Sequence, residues 1–292
     1  MSGPLNVLLI GANGQVSTEL QRRLGPKVNL QVLGSSTLDL TQPHAIREQV
    51  QALRPGLIIN PAAHTAVDKA EAEPDLAFAI NAIAPGVLAE EAARLQVPLI
   101  HYSTDYVFDG SKATPYVETD PTGPLGVYGQ SKLAGEQAIE AVGGEHLILR
   151  TSWVYAAHGR NFLLTMQRLL QEKPELKVVA DQLGAPTWAG AIAESTVQLI
   201  ERWRAGQAGD WGVYHLTSSG ETSWFGFAQA IGEQLLAAGK PCANLIPIPS
   251  SDYPTPAKRP LNSRLDCSKL EQQWGVHQAA WHSALLACLA EA

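Results

Sequence analysis

Short runs of consecutive apolar residues alternate along the chain with longer stretches in which apolar positions recur every three or four residues. The runs are "LNVLLI" (5–10), "VNLQVL" (28–33), "GLIIN" (56–60), "VPLIHYS" (97–103) and "HLILRTS" (146–152). A run that is apolar at nearly every position is a strand covered on both faces, as in a parallel sheet between two layers of helices. Helical periodicity occupies 14–24, 43–53, 74–95 and 129–141 in between, so the order predicts a doubly wound α/β fold. After residue 155 the rhythm loosens, with predicted helices over 160–172, 189–204, 222–238 and 278–290 and short strands over 176–180, 212–217 and 244–248. The expected organisation is a first domain over 1–155 and a smaller C-terminal α/β substrate lobe over 156–292, with "GVYHLT" (212–217) returning to the main sheet. The stretch "IPIPSSDYPTPAKRP" (246–260) is read as a surface loop, because each proline removes a donor and fixes φ.

Composition changes this picture little. The 292 residues are 45% apolar and 17% charged, as in an ordinary soluble globular protein. A formal net charge of -7 argues against nucleic acid or an anionic membrane surface as partner, since both require clustered Lys and Arg. The three cysteines, Cys242, Cys267 and Cys288, form no CxxC pair and read as reduced thiols. "MSGPLNVLLIGANG" has no basic leader and an apolar run only long enough for a strand, so the expected location is the cytoplasm.

Candidate chemistry begins where the first strand ends. In "LLIGANGQVSTEL", Gly11 and Gly14 stand between strand and helix. Glycine there permits a tight turn and close approach to a pyrophosphate, which the free N–H groups and positive pole of the helix attract. This is the Rossmann-type arrangement and predicts a bound dinucleotide. Ser17 occupies the position where a third glycine normally allows close helix packing. The acid expected at the tip of the second strand to read a ribose is absent. Gly34, Ser35 and Ser36 stand there, and Asp39 comes later, where it approaches the adenine. With neither an acid nor an arginine at that tip, NADH and NADPH are equally compatible.

Further along, "VYGQSKLAGE" (127–136) sets Tyr128 four residues before Lys132 on one helical face. Tyrosine, with a pKa near 10, is a weak proton donor at neutral pH unless a nearby ammonium stabilises its phenolate. The spacing arises often by chance, so context decides. "YSTDYVFDG" (102–110) follows the fourth strand, and strand C-termini line the ligand crevice of an open α/β sheet. Ser103, Thr104 and Asp105 therefore arrive beside the glycine turn, where a hydroxyl can share a substrate carbonyl with the tyrosine.

These motifs, together with "NPAAHTAVDKAE", "RTSWVY", "DQLGAPT" and "KRPLNSRLD", span nearly the whole chain. The chain resembles the extended short-chain dehydrogenase/reductases, and within them the reductases of dTDP-activated 4-keto-6-deoxy sugars. The resemblance implies NAD(P)H-dependent reduction of the sugar C4 carbonyl to give dTDP-L-rhamnose. By similarity Tyr128 is the proton donor, Lys132 lowers its pKa while binding the nicotinamide ribose, and Thr104 bonds the reacting oxygen. The implied cofactor contacts are Gly11, Asn13, Gly14, Gln15 and Val16 at the turn, Asp39 and Leu40 near adenine, Ala63, His64 and Thr65 after the third strand, and Tyr102. On the sugar side stand Asp105, Trp153 and Arg259, with Lys258 beside it, the last two offered to the diphosphate. Some relatives are metal-bridged dimers, but Gln15 supplies no charged ligand, so no metal is expected; a homodimer is compatible with the resemblance. Two other readings stay open at this stage: a non-catalytic NAD(P)-binding regulatory subunit, and a reductase or epimerase of another nucleotide-activated sugar.

Overall fold

The computed structural model describes residues 4–291. Its main sheet holds six parallel strands: β1 (Asn6–Ile10), β2 (Asn29–Leu33), β3 (Leu57–Asn60), β4 (Leu99–Thr104), β5 (His146–Thr151) and β6 (Gly212–His215), ordered β6-β5-β4-β3-β1-β2. The order reverses between β1 and β3, which opens a crevice at the strand C-termini. Both β3 and β4 are buried along their whole length, as their unbroken apolar runs require.

One face is covered by α1 (Gln15–Leu24) and the other by α2 (Pro43–Leu53), α3 (Pro74–Leu95) and α4 (Val127–Val142). Of the remaining helices, α5 (Phe162–Glu172) and α7 (Trp224–Ala237) pack on each other in the second body, whereas α6 (Ala189–Arg204) packs on α1. α3 is long and apolar enough to cross a membrane, yet 56% of that stretch is buried inside the protein, where it packs on α2 and α4.

The chain does not divide at one point. Val7, Leu9 and Leu20 share a core with Ile192, Val197, Ile200, Tyr214, Leu270 and Trp274, so late segments complete the first body. "GVYHLT" does return to the main sheet, as its apolar run suggests. The second body has its own core around Tyr155, Leu163, Leu170, Phe227, Ile231 and Leu285, beside a two-stranded ribbon of Glu175–Val179 and Asn244–Ile248. Pro247 lies within that ribbon, so the proline-rich stretch begins as an edge strand before it becomes a loop, a place where a missing donor is tolerated.

α3 is interrupted by a π-turn at Ala79–Ile83, and this irregularity faces α4. α4 approaches through glycines. A Cβ at Gly135 would sit 2.1 Å from the Asn81 carbonyl oxygen, and one at Gly129 would sit 2.2 Å from that of Tyr106. Gly135→Ala gains roughly 1 kcal/mol of helix propensity, but overlap with a fixed carbonyl costs about 3 kcal/mol. The expected outcome is a net loss of about 2 kcal/mol, read from the urea midpoint at unchanged m-value; an equal or higher midpoint would show that α4 is free to shift.

Candidate active site

Three strand ends and one helix build the crevice. After β1 the backbone turns at Gly11, whose φ of 95° suits glycine and whose N–H donates to the Leu33 carbonyl at 2.6 Å. Only 3.1 Å separates a Cβ at Gly11 from Ala62, and 2.9 Å one at Gly34 from Ala12, so side chains there would fill the cradle. Ser17 does more than stay small: its buried hydroxyl donates to the Gly11 carbonyl and ties the turn to α1. The N-cap Gly14 makes no side-chain capping bond and the first turn of α1 has no acid, which leaves the positive pole of the helix for an anion. These features fit the pyrophosphate of a dinucleotide.

Around this turn, Asn13 and Gly14 are exposed, Val16 is half-buried, and Gln15 accepts from Asn161 Nδ2 at 2.7 Å, joining α1 to the second body. Asp39 is fully exposed; its carboxylate accepts from Thr41 N (2.9 Å) and Oγ1 (2.7 Å), bonds that lower its pKa, while Leu40 packs on the core. After β3, Ala63 and His64 are half-buried and Thr65 is exposed. The His64 backbone exchanges two hydrogen bonds with Asn81 of the π-turn, at 2.8 and 3.1 Å. Its ring faces Glu73 at 3.6 Å.

β4 delivers the polar cluster. Thr104 Oγ1 donates to Asp105 Oδ1 at 3.0 Å and accepts from Tyr106 N at 3.2 Å, and the same hydroxyl acts on the Tyr128 phenol, drawing its pKa down. Ser103 Oγ, Asp105 Oδ2 and Thr151 Oγ1 are buried without a partner, and buried polar atoms of that kind call for a ligand. Burial raises the Asp105 carboxyl to about 6, with the Ser263 and Thr104 hydroxyls offsetting part of the effect.

Tyr128 is held edge-on by Tyr106, ring centroids 5.5 Å apart. Its helix start is fixed by Glu71, whose carboxylate accepts from Val127 N at 2.9 Å at the positive helix end. Two sequence expectations need correction here. Lys132 does not depress the Tyr128 phenol: burial, resisted by the Thr104 hydrogen bond, raises it to about 12. The ammonium is drawn instead to the Tyr102 carbonyl at 2.6 Å and to His101 Nε2 at 3.1 Å, and its own pKa falls to about 8 through burial, opposed by Glu136. Tyr102, expected as a cofactor contact, points its phenol into the core toward Thr196 (2.7 Å); only its backbone carbonyl reaches the site.

At the far end, Trp153 adopts φ 48°, uncommon for a bulky residue, and stacks on Trp224 at 3.7 Å and 11°. Phe162 extends this aromatic wall, 4.6 Å from Trp224. Gly184 makes room, since a Cβ there would lie 2.7 Å from the Trp153 ring. Arg259 is already engaged, bidentate to Asp68 at 3.2 and 3.1 Å, while Lys258 is exposed. His101, Tyr106, Asp68 and Trp224 were absent from the sequence expectations; Trp224 lies far from Trp153 in the chain, and only the fold brings them together. Among the described residues no group of three or more His, Cys, Asp or Glu could hold a metal ion.

Residues 5–292 match the family model for the RmlD substrate binding domain. The chain is 46% identical over 292 residues to the dTDP-4-dehydrorhamnose reductase of Burkholderia thailandensis, covering 98% of each chain. It is 46% identical over 283 residues to that of Escherichia coli K12, covering 95% of this chain and 94% of the relative. The crystal structure of the Bacillus anthracis dTDP-4-dehydrorhamnose reductase in complex with NADP superposes with a TM-score of 0.92 at 34% identity, covering 99% of this chain and 100% of that one.

Proposed function

Because the chain belongs to the RmlD substrate-binding family, alongside the dTDP-4-dehydrorhamnose reductases, we propose that it reduces the C4 keto group of dTDP-4-dehydro-L-rhamnose to give dTDP-L-rhamnose. It is an oxidoreductase that uses NADPH or NADH. The observation that carries the reading is the convergence of Tyr128, Thr104 and Asp105 at the end of β4, one helical turn from the Lys132 ammonium and across the crevice from the glycine turn.

When bound, the nicotinamide supplies the hydride to C4. The protein's part is to place and protonate the oxygen. Tyr128 gives its proton to the C4 oxygen as negative charge develops, with the Thr104 hydroxyl as second hydrogen-bonding group. A phenol at about 12 keeps its proton throughout the neutral range, so the donor is loaded at every working pH. Lys132 holds the ribose of the nicotinamide nucleotide. The residues around Gly11, with Asp39, Ala63, His64 and Thr65, receive the rest of the dinucleotide, and the backbone of Tyr102 rather than its ring takes part.

The second body is the sugar lobe in this reading. The Trp153 face offers apolar area to a deoxysugar methyl and ring C–H groups. Asp105 accepts a sugar hydroxyl proton through the oxygen that lacks a partner. Arg259 meets the diphosphate only by exchanging it for Asp68, so nucleotide-sugar binding and release of this ion pair are coupled. The reaction needs neither nucleic acid nor membrane and belongs in the cytoplasm.

The test is oxidation of NADPH and of NADH, followed by nicotinamide absorbance, with dTDP-6-deoxy-L-lyxo-4-hexulose set against other 4-keto nucleotide sugars. The expected result is a kcat/KM at least roughly tenfold higher for the dTDP-lyxo-hexulose, the step one hydrogen-bonded contact provides. Equal or greater turnover of another 4-keto sugar would overturn the substrate assignment, and absence of turnover with all of them would leave a binding protein.

A further inference from the structure

Lys132 is almost completely buried, and the carboxylate nearest to it is already spoken for. Glu136, one turn along α4, receives Arg150 of β5 through Nε at 3.0 Å and Nη2 at 2.6 Å. Where α3 meets α4, Asn81 and Ser131 are neutral and bond each other at 3.0 Å, and Tyr128 retains its proton. A buried ammonium is therefore held without an anion of its own, by the Tyr102 carbonyl and the His101 ring.

An ammonium has three donors and no acceptor, so the ring can hold it only through a lone pair. His101 is wholly buried, and burial together with the neighbouring Lys132 charge drives its pKa well below the usual value, so it is neutral and carries one ring proton. With Nε2 accepting from Lys132, that proton sits on Nδ1, on the edge of the ring where the Asn60 backbone favours a proton. The Asn60 side-chain nitrogen also lies 3.2 Å from Nδ1. The Asn60 backbone thus favours the Nδ1–H tautomer, and its side-chain amide, an N–H donor, favours the other.

We propose that His101 is a positioning residue: its Nε2 lone pair, with the Tyr102 carbonyl, takes two of the three ammonium N–H bonds of Lys132 and leaves one for the ribose. The same pairing makes the imidazole tautomer follow the lysine. When Lys132 is neutral, Nε2 carries the proton and donates it to the amine, while Nδ1 accepts from the Asn60 amide. The inference rests on Lys132 as the ribose-binding cation, but the tautomer can be read without cofactor or sugar.

The first measurement is 15N NMR of the histidine-labelled free protein, with the His101 signals identified by their loss in His101→Gln. The expected result is a neutral Nδ1–H tautomer at pH 6.5 that converts to Nε2–H as pH rises through the lysine ionisation, with no such pH-dependent conversion when Lys132 is replaced by Met. An Nε2–H or doubly protonated ring at pH 6.5 would overturn the proposal. The second measurement is the NADPH dissociation constant. His101→Leu removes the acceptor and is expected to weaken binding roughly tenfold or more, whereas His101→Gln, whose amide oxygen can accept from the ammonium, restores it to within about threefold of the parent on the same scale. A His101→Leu protein that binds NADPH like the parent would sink the positioning role, as would loss in the Gln variant equal to that in Leu. If the Leu variant does not fold, the Gln comparison and the tautomer decide. Loss of binding in Lys132→Met with a parental tautomer pattern would fault this inference alone, whereas parental binding in Lys132→Met would fault the ribose-binding reading beneath it.

Discussion

Replacing Tyr128 by Phe lowers kcat for ketosugar reduction about a thousandfold, within the range that one positioned general acid supplies, and leaves the NADPH dissociation constant within about twofold. The ring keeps its edge contact with Tyr106 and the helix start keeps its Glu71 cap, so only the hydroxyl is lost. Unlike the Asp105 carboxyl, raised only to about 6, that hydroxyl keeps its proton throughout the neutral range. Its high pKa decides the form of the experiment. Because the phenol of the free protein ionises only near 12, no pH in the neutral range removes the donor, and the loss in the Phe variant is the same at pH 6.5 and 7.5. Single-turnover absorbance with saturating NADPH separates the chemical step from binding; an unchanged rate would take the proton-donor role from Tyr128.

Lys132→Met weakens NADPH binding by about ten- to a hundredfold, the worth of a charge-assisted hydrogen bond, and it also removes the alkaline limb of kcat/KM. In the parent protein the ammonium is present below about 8 and is lost as pH rises through that value, so kcat/KM falls there. Neither the phenol at about 12 nor the Asp105 carboxyl at about 6 titrates in that window. Stability moves the opposite way. The lysine pKa is depressed from 10.5 in the fold, so burying the ammonium costs stability that is fully felt below about 8 and disappears above 10.5. Any stability advantage of the Met variant over the parent, measured by urea unfolding, therefore shrinks as pH rises across that interval. An alkaline limb that survives in the Met variant would assign it to another group.

A protein that tolerates this cost keeps the cation for function, and the surrounding structure shows how it is tolerated. Gly129 and Gly135 let α4 sit against backbone carbonyls, and that proximity brings Lys132 within 2.6 Å of the Tyr102 carbonyl. The close packing and the catalytic geometry are one arrangement. A side chain at either glycine pushes away the helix that carries the donor and the cation together.

Local patterning along the chain was enough for the succession of strands and helices, the glycine turn after β1, and the Tyr128 and Lys132 pair on one helical face. Those features depend on local periodicity and on residues that act within a few positions of each other. It also placed Ser103, Thr104 and Asp105 at a strand end, because a continuous apolar run must end where polar residues begin. What each side chain faces was set by long-range packing. It turned the Tyr102 phenol into the core, gave Lys132 to His101 instead of Tyr128, paired Arg259 with Asp68 and laid Trp153 on Trp224. Each of these contacts joins segments distant in the chain, and each is set by a competition for hydrogen bonds, charge or apolar area that has no local signature. The pKa values follow from the same competition, since burial and partners, not residue type, fix the cost of a charge.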